Sequence, residues 1–110
     1  MTTVDVRVTE YAVCALPEDN INARHFTITV AYRGEGQWAV LRHGMCLGAD
    51  GTWDYEPSPS NRGDEWLAAH RFDEKTAVKL AYEAAPAVTV NGHTVADVLL
   101  AAAIRERTTA

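Results

Sequence analysis

A chain of 110 residues is the size of one domain, and its apolar content of 47% with 23% charged residues is that of an ordinary globular protein. A formal net charge of -5 argues against nucleic acid as a partner, because phosphate binding needs a positive footprint and the ten Lys and Arg residues form no basic run. The fifteen Asp and Glu residues form no long block either, so an acidic imitation of DNA is not indicated.

Met1-Thr2-Thr3-Val4-Asp5-Val6-Arg7 has no basic segment followed by an apolar run, so no secretory signal is expected. The longest apolar run, Val98 to Ile104, falls far short of the roughly 18 residues of a membrane span, and no membrane partner is expected. Cys14 and Cys46 are too few for a secreted disulfide framework, so the expectation is a cytoplasmic protein with reduced thiols.

The first half alternates as half-buried strands do. Val4, Val6 and Val8 keep one parity while Tyr11, Val13 and Ala15 keep the other, which predicts a strand from about Thr3 to Leu16 bulged near Thr9-Glu10. Pro17-Glu18-Asp19-Asn20 breaks it. Phe26, Ile28, Val30 and Tyr32 form a second strand, and Gly34-Glu35-Gly36 turns the chain into a third that starts at Trp38 and runs on towards Leu47. With Arg33 opposite Gln37, Tyr32 faces Trp38 and Val30 faces Val40, which collects the large apolar groups on one side. A register one residue different would pair them with Ala39 and Leu41 instead. Ala49-Asp50-Gly51 is a further hairpin turn, and Trp53 and Tyr55 start a short strand that Pro57 ends.

The second half has helical periodicity. Gly63 to His70 reads as a short helix. Asp73 caps the next one, with Glu74 at its positive end, Phe72 placed to staple against Ala77, and Val78, Ala81, Tyr82 and Ala85 as the apolar stripe. Pro86 ends it, and Ala87-Val88-Thr89-Val90 reads as a short strand before a turn at Asn91-Gly92. Thr94-Val95-Ala96-Asp97 is a capping box for a last helix to about Glu106, with a tight Asn91-Gly92 hairpin as the alternative. The residues 1–110 are thus expected to form a single α+β domain: an antiparallel meander of four to five strands with two main helices packed on one face.

Chemistry-bearing motifs are sparse. No phosphate-cradling glycine loop, Gly-x-Ser-x-Gly elbow, Cys-x-x-Cys or His-Glu-x-x-His occurs, so no cofactor and no catalytic residue is expected. His43 and Cys46 have ligand spacing, and the chosen register sets His25 opposite Met45 and diagonal to His43. Three donors still leave a zinc site one short, and on a straight strand His43 and Cys46 point to opposite faces. Surface histidines and a buried cysteine explain the same letters. A catalytic thiol with His25 or His43 as base lacks any neighbour that would obviously lower its pKa.

Two features carry an expectation of function. Trp53 and Tyr55 share a strand face, and Trp66 follows on the short helix. Rimmed by Arg62, Asp64 and His70, they define a candidate site for a small ligand or peptide. The plainer reading is a packed corner in which Arg62 and Arg71 pair with Asp64, Glu65, Asp73 or Glu74. On the last helix, Val95, Val98, Leu99 and Ala102 occupy the arc expected to cover the sheet, whereas Leu100 and Ile104 lie nearly opposite, beside Asp97. A second apolar face is either covered or used, and two copies packing through Leu100 and Ile104 would form a homodimer.

Asp50-Gly51-Thr52-Trp53-Asp54-Tyr55-Glu56-Pro57 with Asp64-Glu65-Trp66-Leu67-Ala68-Ala69-His70-Arg71-Phe72-Asp73 resembles small uncharacterised proteins of actinobacteria and their phages. The resemblance implies a cytoplasmic bacterial or phage-encoded protein and brings no functional residue with it. The expected function is a non-enzymatic protein-interaction or accessory module, self-associating or binding another protein. A ligand-binding protein or enzyme at the aromatic corner is the alternative.

Overall fold

The computed structural model describes residues 2–108. Five antiparallel strands follow one another in space as in sequence: β1 (Glu10–Val13), β2 (Ile28–Tyr32), β3 (Trp38–Arg42), β4 (Met45–Leu47) and β5 (Trp53–Tyr55). A one-turn helix, α1 (Ala23–Phe26), precedes β2; α2 (Asp64–His70), α3 (Glu74–Ala84) and α4 (Val95–Thr108) follow the sheet. The fold is α+β with an antiparallel meander, as expected.

The β2–β3 register is the one that gathers the apolar groups, with Tyr32 opposite Trp38 and Val30 opposite Val40. Trp38 sits between two tyrosines, 5.6 Å from the ring of Tyr11 and 5.3 Å from that of Tyr32. Ile28, Val30, Val40 and Leu47 continue this face into the core, which α3 closes with Ala77 and Ala81 and the turn after it with Ala85. Three alanines at helical spacing make a narrow ridge, so the helix backbone approaches the sheet closely. Tyr82, expected on that stripe, instead projects into solvent at 76% exposure. The ridge is centred on the alanines, and Tyr82 lies one residue round from it.

The run from Trp38 to Leu47 is two strands, where one was expected. His43 and Gly44 both take positive φ, 49° and 76°, which makes the two-residue turn that best matches strand twist. β4 then pairs with only the far end of β3. Beside Trp38 its place is taken by Phe72, which exchanges both backbone hydrogen bonds with Trp38 at 2.7 and 3.0 Å.

The amino-terminal strand is much shorter than expected. Only Glu10–Val13 pair with β2, and the ladder gives out at Thr9, whose carbonyl accepts from the Tyr32 N–H at 2.9 Å. Beyond this point β2 has ended and the chain has no neighbour to bond. Ala87–Val90 is likewise not a strand: a 3-10 turn covers Ala85–Ala87, and a single bridge joins Val90 to His93 around Asn91-Gly92. Hairpin turn and helix start therefore coexist, because the tight turn delivers Thr94 directly to the head of α4.

Both long helices are capped as expected. Asp73 accepts from the Thr76 N–H at 2.8 Å. Thr94 and Asp97 satisfy each other's backbone N–H groups at 2.9 and 3.1 Å. These bonds stabilise the ionised carboxylates and hold both aspartates below their ordinary pKa, the backbone bond contributing most in each case.

Candidate functional site

Residues 53 to 56 alternate across β5, and the alternation divides the expected aromatic corner. Trp53 packs against the main core, whereas Asp54 faces the other side of the sheet and reaches His70 Nε2 at 3.3 Å. Tyr55, on the side of Trp53, is 81% exposed. Arg62, Trp66 and His70 gather on the side of Asp54 and Glu56, and Asp64 is exposed at the head of α2. The six residues thus belong to two faces of the sheet and do not enclose one pocket.

A polar cluster instead forms beneath α2, around a residue that motif reading did not select. Glu56 receives Arg71 at 2.7 Å, Arg62 at 3.6 Å and Arg33 at 3.8 Å. These partners replace the helix-borne carboxylates Asp64, Glu65, Asp73 and Glu74, because Arg71 leaves α2 pointing back under it. Arg71 also donates to the His70 carbonyl at 3.0 Å and lies 5.1 Å from the ring centre of Trp66. Trp66 in turn stacks on the His70 ring at 4.3 Å, and the His70 ring nitrogen Nδ1 lies 2.8 Å from the Trp66 carbonyl oxygen. Arg62 is held by the Pro57 carbonyl at 2.7 Å. The one available signal was parity: Asp54 and Glu56 share a face opposite to that of Trp53 and Tyr55.

With Arg71 spent inward on Glu56, the His70 carbonyl, the Trp66 ring and the Cys46 sulfur, the cluster resembles a clasp more than a receptor. It fastens α2 to the end of the sheet.

Cys46 completes this layer. It is fully buried, and its sulfur lies 3.7 Å from Arg71 Nη1. Burial pushes the thiol pKa up despite the opposing pull of the guanidinium, which does not suit a nucleophile. The three donors weighed for metal are dispersed. His25 sits on α1 rather than opposite Met45, His43 is exposed in the β3–β4 turn, and Cys46 is enclosed. Among the described residues no group of three or more His, Cys, Asp or Glu side chains is placed to hold a metal ion. Cys14 and Cys46 are both free thiols.

The candidate site with the clearest physical signature is α4. It is anchored by Val95, which is buried, and by Val98 and Ala102, which are half-buried. Leu99, expected to face the sheet, is 42% exposed, because the core beneath α4 ends at its first turns. Leu100 and Ile104 are 62% and 53% exposed on the opposite side. At about 100° per residue, Asp97, Leu100, Ile104 and Arg107 fall on one outer stripe, flanked by the small side chains of Ala96 and Ala103. Among the described residues no helix is long and apolar enough to cross a membrane, so this apolar stripe is not a span.

Comparison with protein-family models, curated proteins and solved structures gives no match to this chain.

Proposed function

We propose that the protein is a non-enzymatic interaction module, cytoplasmic, that self-associates by antiparallel packing of α4 against α4 of a second copy. The observation that carries this reading is the pair Leu100 and Ile104, exposed at 62% and 53% on a helix whose inner side is already anchored. A two-fold axis that sets Leu100 opposite Ile104 of the other copy also sets Asp97 opposite its Arg107, since both pairs are symmetric about residue 102. Apolar centre and charged ends are then self-complementary in one register, as a two-fold contact requires. Ala96 and Ala103 allow the helix axes to approach.

Two paired helices of this length bury less than the roughly 1,200 Å² of a standard interface, so a dissociation constant in the micromolar range is expected. Sedimentation of the wild type and of the Leu100→Gln/Ile104→Gln double variant tests the reading. The double variant should keep the circular dichroism of the wild type and dimerise at least tenfold more weakly, as losing about two buried aliphatic side chains implies. An unchanged dissociation constant in the folded variant would overturn it.

A further inference from the structure

The segment before β1 has the sequence pattern of a strand and, among the described residues, no strand to bond beyond Thr9. Val4, Val6 and Val8 are 88%, 92% and 60% exposed, an unusual row of β-branched side chains to leave in water. Asp5 and Arg7 contact each other at 3.3 Å, and an i to i+2 contact is what residues on one face of an extended chain make. The valines accordingly share the other face. β1 is an edge of the sheet, and the arm prolongs that edge past the end of β2. The Cα radius of gyration, 16.9 Å, exceeds the roughly 13 Å of a compact chain of this length, as projecting segments require.

We infer that the arm, residues 2 to 10, is one half of an antiparallel strand pair whose other half is the same arm of a second copy, crossing at Val6. Charge selects this register. With Val6 opposite Val6, Val4 meets Val8, Asp5 meets Arg7, and Thr3 meets Thr9, so each pair from Thr3 to Thr9 is favourable, and Thr2 opposite Glu10 is neutral. Sliding the pair by two residues keeps valine on valine but sets Asp5 on Asp5 or Arg7 on Arg7, with like charges directly opposite. Sliding it by one moves all valines of one copy to the wrong face.

The pairing also covers apolar surface. Val8 lines an open groove of about 470 Å³ with Tyr11, Tyr32 and Trp38, at the end of the core where β2 and β3 turn. Val4 of the second copy, opposite Val8, covers part of its exposed side chain. The result is a continuous sheet through both copies, which pairs backbone groups that the arm leaves open when alone.

The contact is independent of α4, and its test keeps the two apart. Val6→Cys and Val4→Cys are each introduced into the full chain and oxidised mildly, with the wild type controlling for Cys14 and Cys46. In the inferred register Val6 meets its own copy and Val4 does not. The Val6→Cys protein should therefore form a disulfide-linked dimer roughly tenfold faster than Val4→Cys, adjacent thiols having the higher effective concentration. The difference should persist when Leu100→Gln and Ile104→Gln are added. Equal rates for the two cysteine variants, or no linkage in either, would overturn the pairing whatever α4 does. A second comparison reads the charges: Arg7→Asp should slow the Val6→Cys linkage, and adding Asp5→Arg should restore it.

Discussion

Arg71 holds Nη2 2.7 Å from Glu56 Oε1 while the two side chains are only 6% and 16% exposed. That shielding separates this pair from the Asp5–Arg7 contact, whose side chains are 76% and 73% exposed and which contributes little to stability within one chain. Removing one partner of a shielded pair leaves the other charge without compensation. Around Glu56 the effect is larger than for a simple pair, because Arg62 and Arg33 also lose the carboxylate they contact.

Glu56→Gln is therefore expected to destabilise the fold by about 3 kcal/mol. The midpoint of urea unfolding should fall with little change in slope, and 0.5 M salt should not recover the loss, since buried charges are poorly screened. A loss below about 1 kcal/mol would mean that the arginines are solvated and that α2 is held by Trp66 and Leu67 alone.

Much of this architecture could be read from periodicity, and the exceptions have physical causes. The β2–β3 register was legible because a slip of one residue would set Tyr32 and Val30 on the face opposite Trp38 and Val40, and the Gly34-Glu35-Gly36 turn fixes the loop length. The caps were legible because Asp73 and Thr94 stand one residue before helical patterns. The His43-Gly44 turn was hidden because the letters on both sides continue a strand pattern, and a single glycine without Asn or Asp before it is a weak turn signal. The arm has the letters of a strand without pairing as one, because alternation reports which residues want one face, not whether a neighbouring strand is there to bond. The aromatic corner looks like one cluster in the letters because its tryptophans are close in sequence. A single step of parity between Trp53 and Asp54 sends them to opposite layers.

Acid should loosen the helix ends before the core. The pKa values of Asp73 and Asp97 are lowered by folding, each mainly through a backbone N–H bond, at Thr76 and Thr94 respectively. Asp50 is lowered mainly by the Thr52 hydroxyl and then by its N–H. For a carboxylate whose folded pKa lies below its unfolded value, the stabilisation is complete above the unfolded value of about 3.9 and is lost as pH falls through the folded one. Helical circular dichroism at 222 nm should thus be flat from pH 7 to about 4.5 and decline below about 4. Asp73→Asn, which caps without titrating, should flatten part of that decline. An identical acid profile for Asp73→Asn and wild type would show that α3 does not depend on the ionised cap.

The last expectation concerns the ends of the α4 pair rather than its centre. Asp97 cannot be altered without opening the capping box, so the charge is best changed at Arg107. Arg107→Glu would set a carboxylate opposite Asp97 at both ends of a two-fold dimer, and should weaken it roughly fivefold at low salt. Part of any loss would come from the helix itself, because a cation in its last turn offsets the macrodipole. Arg107→Gln removes the cation without adding repulsion, and the circular dichroism of both variants below the dimerisation range measures the helix penalty, so that the remaining difference in affinity reports the contact with Asp97. This difference should shrink at 0.5 M salt, where the screening length is a few ångströms. Equal affinities for Arg107→Glu and Arg107→Gln at low salt would place Arg107 away from Asp97 of the other copy. The register centred on residue 102 would then fail even if Leu100 and Ile104 remained at the interface.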